Sequence, residues 1–229
     1  EYQAKQLIAK FGVKIPVGEI IYQPHEAVTV TSWLNEDLVM VKAQVHAGGR
    51  GKSGGIKKCN GQEEVVSTVE RMIGMKLQTP QTGEKKKTVT RVYIEKAHEI
   101  EKELYFCIIV DRETGGNTII ASAYGGMDIE EVAKNDPQKI VTTKVEMKDE
   151  ISETDCEKII KIFNLNENIK DQAISLIKSI YKMFKNTDAN MVEVNPLILT
   201  KDEKIVCLDA KVNFDSNALF RHPEIIELR

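Results

Sequence analysis

Residues 190–212 read NMVEVNPLILTKDEKIVCLDAKV, two apolar-rich runs separated by the polar segment Lys201-Asp202-Glu203. Apolar, β-branched runs on either side of a short polar turn predict an antiparallel hairpin. If the turn is centred on Asp202, residues equally distant from Asp202 face each other across the strands. This register places Asn195 opposite Asp209.

The predicted hairpin brings oxygen-bearing side chains to one face. Glu193 and Asn195 differ by two positions and therefore share a face of their strand. Asp209 would join them from the opposite strand, with Cβ atoms about 5 Å apart. Carboxylate and amide oxygens suit Mg²⁺, which prefers oxygen ligands and keeps several waters. The alternative is an ordinary cross-strand ion pair between Glu193 and Lys211, with unrelated polar neighbours.

Outside the hairpin, strands and helices follow one another without strict alternation. An apolar stripe between Asn60 and Gly74 predicts a helix, and Glu63, three residues after Asn60, is typical of a capping box. The mixture favours an α+β or mixed α/β fold over a doubly wound sheet. The other predicted helices lie around Leu7 to Phe11 and over 24–34, 152–163 and 169–184, and the predicted strands cover 19–22, 38–45, 89–96, 104–110, 118–122, 190–199 and 204–212, with Thr114-Gly115-Gly116 as the turn of the hairpin formed by 104–110 and 118–122.

A glycine-rich stretch, residues 47–55 (AGGRGKSGG), follows a predicted buried strand. Glycine-rich backbone can turn its amides toward an anion, and Arg50 and Lys52 add positive charge, so phosphate is the expected ligand. The alternative is a solvated turn with ordinary surface basic residues. A P-loop is excluded because His46 stands where that motif requires glycine.

Two further charged features are open to more than one interpretation. Lys42 interrupts an apolar run, so its ammonium either reaches solvent or binds an anion such as phosphate. Residues 95–103 contain four glutamates, a pattern usual for a solvated connection. The four histidines show neither metal-ligand spacing nor a nucleophilic triad.

Composition narrows the classes of partner. The net charge of −3 gives no basic footprint for nucleic acid. No apolar run approaches the roughly 20 residues needed to span a bilayer, which argues against a membrane partner. The four cysteines are widely spaced, which favours a reducing compartment over a disulfide framework.

Five motifs in chain order resemble the beta subunit of succinate–CoA ligase. The motifs are Glu1-Tyr2-Gln3-Ala4-Lys5, residues 42–52 (KAQVHAGGRGK), Gly125-Gly126-Met127-Asp128-Ile129-Glu130, Glu193-Val194-Asn195-Pro196-Leu197 and Asn217-Ala218-Leu219-Phe220-Arg221. The resemblance implies an α+β ATP-grasp fold of two subdomains with nucleotide in the cleft between them. One subdomain would comprise 1–16 and 99–229 and carry the metal-binding hairpin, and 17–98 would carry the phosphate loop. The family's C-terminal CoA-ligase domain is expected to be absent from this chain.

The resemblance also implies roles for individual residues. Arg50 and Glu193 match catalytic positions, Glu193 being the carboxylate that steadies a phosphohistidine. Pro16 matches a position at which proline accompanies a preference for ATP over GTP. The matched binding positions are Lys42, Gly49, Arg50 and Gly51 for phosphate, Glu95 for the hinge near the base, His98 for a backbone contact to the base, Glu103 for the ribose, and Asn195 and Asp209 for Mg²⁺.

The implied reaction joins succinate and CoA at the expense of ATP, with ADP as a product, through a phosphohistidine on the alpha subunit. ATP or ADP and Mg²⁺ are thus the expected cofactors, and the alpha subunit, succinate and CoA are the expected partners of the full complex. The chain alone is expected to be inactive. The implied compartment is the mitochondrial matrix, or the cytoplasm in a bacterium. A malate- or citrate-directed acyl-CoA ligase or lyase and a non-catalytic nucleotide-binding assembly subunit are the alternatives.

Overall fold

The computed structural model describes residues 1–113, 115–146 and 148–228. The chain divides into two compact units. The hairpin unit comprises Glu1, Gln3–Ile15 and Glu99–Arg229, and the loop unit comprises Tyr2 and Pro16–His98. None of the helices in the described residues is long and apolar enough to cross a membrane.

The secondary structure mixes helices and strands, as the predicted α+β class requires. The helices are α1 (Tyr2–Lys10), α2 (Glu26–Leu34), α3 (Gly61–Met72), α4 (Ile129–Asn135), α5 (Glu153–Ile160), α6 (Glu167–Asn186) and α7 (Pro223–Ile226), with 3₁₀ turns at Gly51–Ser53, Pro137–Lys139, Lys161–Phe163 and Leu219–Arg221. The strands are β1 (Gly18–Ile21), β2 (Leu38–Ala43), β3 (Ile56–Asn60), β4 (Lys76–Leu77), β5 (Lys87–Thr88), β6 (Val92–Lys96), β7 (Ile100–Asp111), β8 (Gly116–Ser122), β9 (Ile140–Val145), β10 (Ala189–Thr200), β11 (Ile205–Cys207) and β12 (Ala210–Phe214).

The loop unit is built on an antiparallel sheet of order β1-β6-β2-β3. Helices α2 and α3 pack against each other and contact this sheet. The apolar stripe of α3, which includes Val65 and Val69, is buried in the core of the unit together with Val41 of β2. A second small sheet pairs β4 with β5.

The hairpin unit is built on an antiparallel sheet of order β11-β10-β7-β8-β9, in which β12 also pairs with β10. Alternate residues of β7, including Leu104, Phe106 and Ile108, enter a core filled by α1, α5 and α6. The other residues of β7, Glu103, Tyr105 and Cys107, therefore share the opposite face.

The register predicted for the hairpin is confirmed. Glu193 pairs with Lys211, and the backbone N–H of Asn195 donates to the carbonyl oxygen of Asp209 at 3.0 Å. The predicted second strand is divided into β11 and β12 by Leu208 and Asp209. The peptide bond between Asn195 and Pro196 is cis, and the pairing of β10 with β7 shifts register there.

Several local predictions need correction. The capping box is wrong, because the N–H of Asn60 donates to Glu64 rather than Glu63 and the Asn60 side chain makes no capping bond. The predicted helix 152–163 ends as an α-helix at Ile160 and continues as a 3₁₀ turn. Helices α4 and α7 and strands β3, β4, β5 and β9 were not predicted. Thr114 of the turn predicted at 114–116 lies outside the described residues.

Candidate functional site

The glycine-rich stretch forms a structured loop after β2. Gly49 has φ +72°, and a Cβ there would lie 3.0 Å from Cδ of Pro80. The N–H of Gly48 donates to Oε1 of Gln81 at 2.7 Å. The loop therefore rests on residues 80–81, a contact that the sequence did not reveal because these residues are distant along the chain.

Part of this loop satisfies its own amides. The N–H groups of Ser53 and Gly55 donate to the carbonyl oxygen of Arg50, and that of Gly54 donates to Gly51. These three amides are thus directed into the loop rather than toward an anion. Of the predicted phosphate-binding residues, Gly49 precedes this internally bonded turn, whereas Arg50 and Gly51 are part of it.

Arg50 is held rigidly at the base of the loop. Its side chain is 5% exposed, and Nη1 donates to the carbonyl oxygen of Ala43 at 2.8 Å, at the end of β2. Guanidinium has five donors in a fixed plane, so one bond to the backbone orients the others. Arg50 therefore supplies fixed positive charge beside the glycines, whereas Lys52 is exposed.

Lys42 binds an anion, and in this structure the anion is a carboxylate of the same unit. Nζ lies 2.5 Å from Oε1 of Glu95, with side-chain exposures of 4% and 0%. The sheet explains the meeting, because Lys42 pairs with Tyr93 of β6 and Glu95 lies two residues further on the same face. Lys42 and Glu95, predicted as phosphate and base contacts, thus form one buried ion pair.

In the hairpin unit, Glu103 and Asn195 enclose the glycines of the Gly125-Gly126-Met127 motif. The N–H of Gly126 donates to Oδ1 of Asn195 at 2.7 Å, and Nδ2 of Asn195 donates to the carbonyl oxygen of Met127 at 3.0 Å. A Cβ at Gly126 would overlap Oε2 of Glu103. Desolvation raises the pKa of Glu103, although its side chain remains exposed.

Asn195 and Asp209, the predicted Mg²⁺ ligands, are held at facing positions by their backbones. The donor set fits the ion, because an amide oxygen and a carboxylate are hard oxygen ligands. Oδ1 of Asn195 uses one lone pair for Gly126 and has a second. Within the described residues no three His, Cys, Asp or Glu side chains cluster into a metal site. The protein would therefore contribute few ligands, as is usual for Mg²⁺ bound with phosphates.

Glu193 stands between β7 and β12, facing Cys107 on one side and Lys211 on the other. Burial raises the pKa of the Tyr105 phenol well above its usual range, and the neighbouring Cys107 and Glu193 raise it further. Burial also raises the pKa of the Cys107 thiol to about 12. Both groups are hence neutral donors beside Glu193 at neutral pH. The period-two alternation of β7 was the signal that could have identified them.

The two remaining predicted residues lie at the ends of the loop unit. Pro16, which begins the continuous segment Pro16–His98 of this unit, is buried. His98, which ends the segment, is half-buried. The preference for ATP associated with Pro16 and the backbone contact of His98 to the base stay predictions.

The sequence pattern of the ATP-grasp domain matches residues 1–199. The chain belongs to the ATP-grasp domain family. Over 229 residues this ATP-grasp chain is 54% identical to a protein of Pelagibacter ubique (strain HTCC1062) described as the beta subunit of ADP-forming succinate–CoA ligase. It is 45% identical to a protein of the same description from Wolbachia sp. subsp. Brugia malayi (strain TRS). The chain is covered completely in both cases but spans 59% of the length of each relative.

Solved structures share the ATP-grasp architecture at low sequence identity. The dinucleotide-forming acetyl-coenzyme A synthetase 1 of Ca. Korarchaeum cryptofilum aligns with a TM-score of 0.68 at 18% identity, covering 94% of this chain and 92% of that one. ATP citrate lyase from Methanothrix soehngenii aligns with a TM-score of 0.67 at 19% identity, covering 96% and 51%. Identities this low establish similarity of fold alone.

Proposed function

We propose that this ATP-grasp chain is the nucleotide-binding part of a succinate–CoA ligase beta subunit and takes part in phosphoryl transfer between ATP or ADP and a phosphohistidine on the alpha subunit. The observation that supports this proposal most is the 54% identity, over the whole of this chain, to a protein of that description. Succinate and CoA would be bound by the complete complex. The compartment, mitochondrial matrix or bacterial cytoplasm, stays a prediction.

The chemistry proposed for this chain is electrostatic rather than covalent. A phosphoryl group in transfer spreads negative charge over its oxygens, and fixed positive charge stabilises that state. Arg50, oriented by its bond to Ala43, and Lys42 would supply such charge. A bound phosphate would compete with Glu95 for the ammonium of Lys42.

The hairpin unit would contribute oxygen ligands and a carboxylate. Asn195 and Asp209 would hold Mg²⁺, which neutralises phosphate charge when bound. Glu103 would accept from the ribose, for which its exposed carboxylate is suited. Glu193, flanked by the neutral donors Tyr105 and Cys107, would steady the phosphohistidine of the alpha subunit.

Thermal unfolding of the chain with nucleotide tests this proposal. A ligand that binds only the native state raises the melting temperature. ATP and ADP should stabilise the chain more strongly with Mg²⁺ than without, and GTP should do so less. Asp209→Ala should lose the Mg²⁺-dependent part, whereas Asp202→Ala, in the exposed turn of the same hairpin, should keep it. A chain that no nucleotide stabilises would contradict the proposal and favour an assembly subunit.

The isolated chain should not form succinyl-CoA from succinate, CoA and ATP. The phosphorylated histidine is proposed to belong to the alpha subunit, so no residue of this chain is proposed to carry the phosphoryl intermediate. A coupled assay for CoA consumption compares turnover by the chain alone with turnover after the alpha subunit is added. Turnover by the chain alone would refute the proposed division of roles.

A further inference from the structure

Lys5 is a fully buried lysine that the proposed chemistry does not use. It lies on α1, and its side chain is 0% exposed. Nζ lies 3.1 Å from Oε1 of Glu1, one helical turn earlier, whose side chain is 3% exposed. Removing an ammonium from water is unfavourable unless the charge is paired and hydrogen-bonded. An apolar residue would pack equally well at this position. The burial of a lysine here therefore calls for an explanation other than packing.

The ammonium of Lys5 also contacts the segment that carries Asp209. Nζ donates to the carbonyl oxygen of Leu208 at 3.3 Å. That carbonyl belongs to the same planar peptide unit as the N–H of Asp209, which donates to the carbonyl oxygen of Pro196 at 3.4 Å. Both ends of this peptide are thus held, one by Lys5 and the other by β10.

The peptide that follows Asp209 is held as well. Its carbonyl oxygen accepts from the N–H of Asn195 at 3.0 Å. When the peptides on both sides of a residue are fixed, its φ and ψ are fixed, and so is the direction of its Cα–Cβ bond. Lys5 is consequently one of the groups that determine where the Asp209 side chain leaves the backbone.

We propose that Lys5 is a positioning residue that directs the carboxylate of Asp209 toward the divalent cation of the bound nucleotide. This inference rests on the proposed function. The arrangement suits the task electrostatically, because Glu1 offsets the charge of Lys5, so the ammonium can hold the backbone with little repulsion of the cation. Groups that orient a metal ligand typically change metal affinity by about 10–100-fold when they are mutated.

The test is a double-mutant cycle on Mn²⁺ affinity in the presence of saturating ADP. Lys5→Met should weaken Mn²⁺ binding by about 10–100-fold, while the affinity for ADP without metal stays unchanged. In the Asp209→Ala background, Lys5→Met should have no further effect, because its action passes through Asp209. Lys10→Met, the same substitution at an exposed position of α1, should bind Mn²⁺ and ADP as the unmodified chain does.

Two results of the Mn²⁺ measurements would overturn the inference. Unchanged Mn²⁺ affinity in Lys5→Met, or equal losses in the presence and absence of Asp209, would show that Lys5 is structural only. Lys5→Gln serves in the same cycle if Lys5→Met does not fold, with the same expected result. If the unmodified chain binds ADP with no effect of metal, the proposed function fails together with this inference. If the unmodified chain binds Mn²⁺ with ADP and Lys5→Met binds Mn²⁺ with the same affinity, this inference alone fails.

Discussion

Lys42, a candidate phosphate contact, forms an ion pair with Glu95. Both side chains are buried, and adjacent strands bring them together. The carboxylate of Glu95 thus neutralises the buried ammonium of Lys42. The sequence left open whether the ammonium of Lys42 reaches solvent or binds an anion such as phosphate. It could not reveal the contact with Glu95, because the pairing of β2 with β6 joins residues far apart along the chain.

Lys42→Met should destabilise the loop unit strongly. Removing one partner of a buried ion pair typically costs about 3–5 kcal/mol, because the remaining charge stays desolvated. Lys96→Met is the matched control, because it breaks the partly exposed ion pair between Glu36 and Lys96, the last residue of β6. This substitution should cost about 0–1 kcal/mol. Urea unfolding of both variants measures the difference. Equal losses would contradict the buried-pair interpretation.

His222 lies between two carboxylates and links the C-terminal segment to the turn before β10. Nε2 lies 2.5 Å from Oδ2 of Asp188, and Nδ1 lies 3.2 Å from Oε1 of Glu224. The bond to Asp188 raises the pKa of His222 above its ordinary 6.5, and burial opposes this only in part. Arg221 also binds Asp188, through both carboxylate oxygens.

The contribution of His222 to stability should therefore depend on pH. A raised folded-state pKa means that the contribution is complete below the unfolded pKa near 6.5 and is lost as pH rises through the folded pKa. The difference in free energy of unfolding between the unmodified chain and His222→Gln should thus shrink as pH increases across that window. Urea titrations at several pH values measure it, and a difference that is constant or grows with pH would contradict the prediction.

At the scale of the element, the close approach of Gly125 to β7 fixes the path of the glycine motif. The N–H of Gly125 donates to the carbonyl oxygen of Glu103 at 2.9 Å, and a Cβ at Gly125 would overlap the backbone of Leu104. The motif was recognised from its resemblance to a family, but its packing was not predictable, because it depends on which strand lies beneath it.

Gly125→Ala should destabilise the hairpin unit by about 1–3 kcal/mol, since the backbone must move to admit the methyl group. Gly51→Ala is a suitable control, because a Cβ there would lie 3.9 Å from Cδ1 of Ile56, an ordinary contact. Its stability should be unchanged or slightly higher. Thermal unfolding compares the two variants, and a neutral Gly125→Ala would show that the approach is looser than described.

Local signals identified the β10–β11–β12 hairpin but not every element. A turn with strongly apolar flanks fixes its own register, which is why Glu193 faces Lys211 as predicted. Helix α4 buries only Val132 and is too short to display a helical stripe. Strand β9 pairs only with β8 within the described residues and buries only Thr143 and Val145, so its apolar signal is weak.

At the scale of the molecule, the mixture of elements predicted an α+β or mixed α/β fold, and the resemblance to a family narrowed this prediction to α+β. The two larger sheets and their separate cores show what the mixture of elements cannot specify, namely which strands pair. The order β1-β6-β2-β3 joins strands from both ends of the loop unit, and no local pattern encodes it. Local patterns suggested the hairpin oxygens and the basic glycine-rich loop, resemblance to a family assigned the individual roles, and the structure adds the contacts that hold these residues.

The most direct test of the central claim is a crystal structure of the chain with ADP and Mn²⁺, using anomalous diffraction to locate the metal. We expect one metal peak within coordination distance, about 2.1 Å for an ion of the Mg²⁺ type, of Oδ1 of Asn195 and of a carboxylate oxygen of Asp209. Bound ADP with the metal elsewhere, or with these two oxygens directed apart, would contradict it.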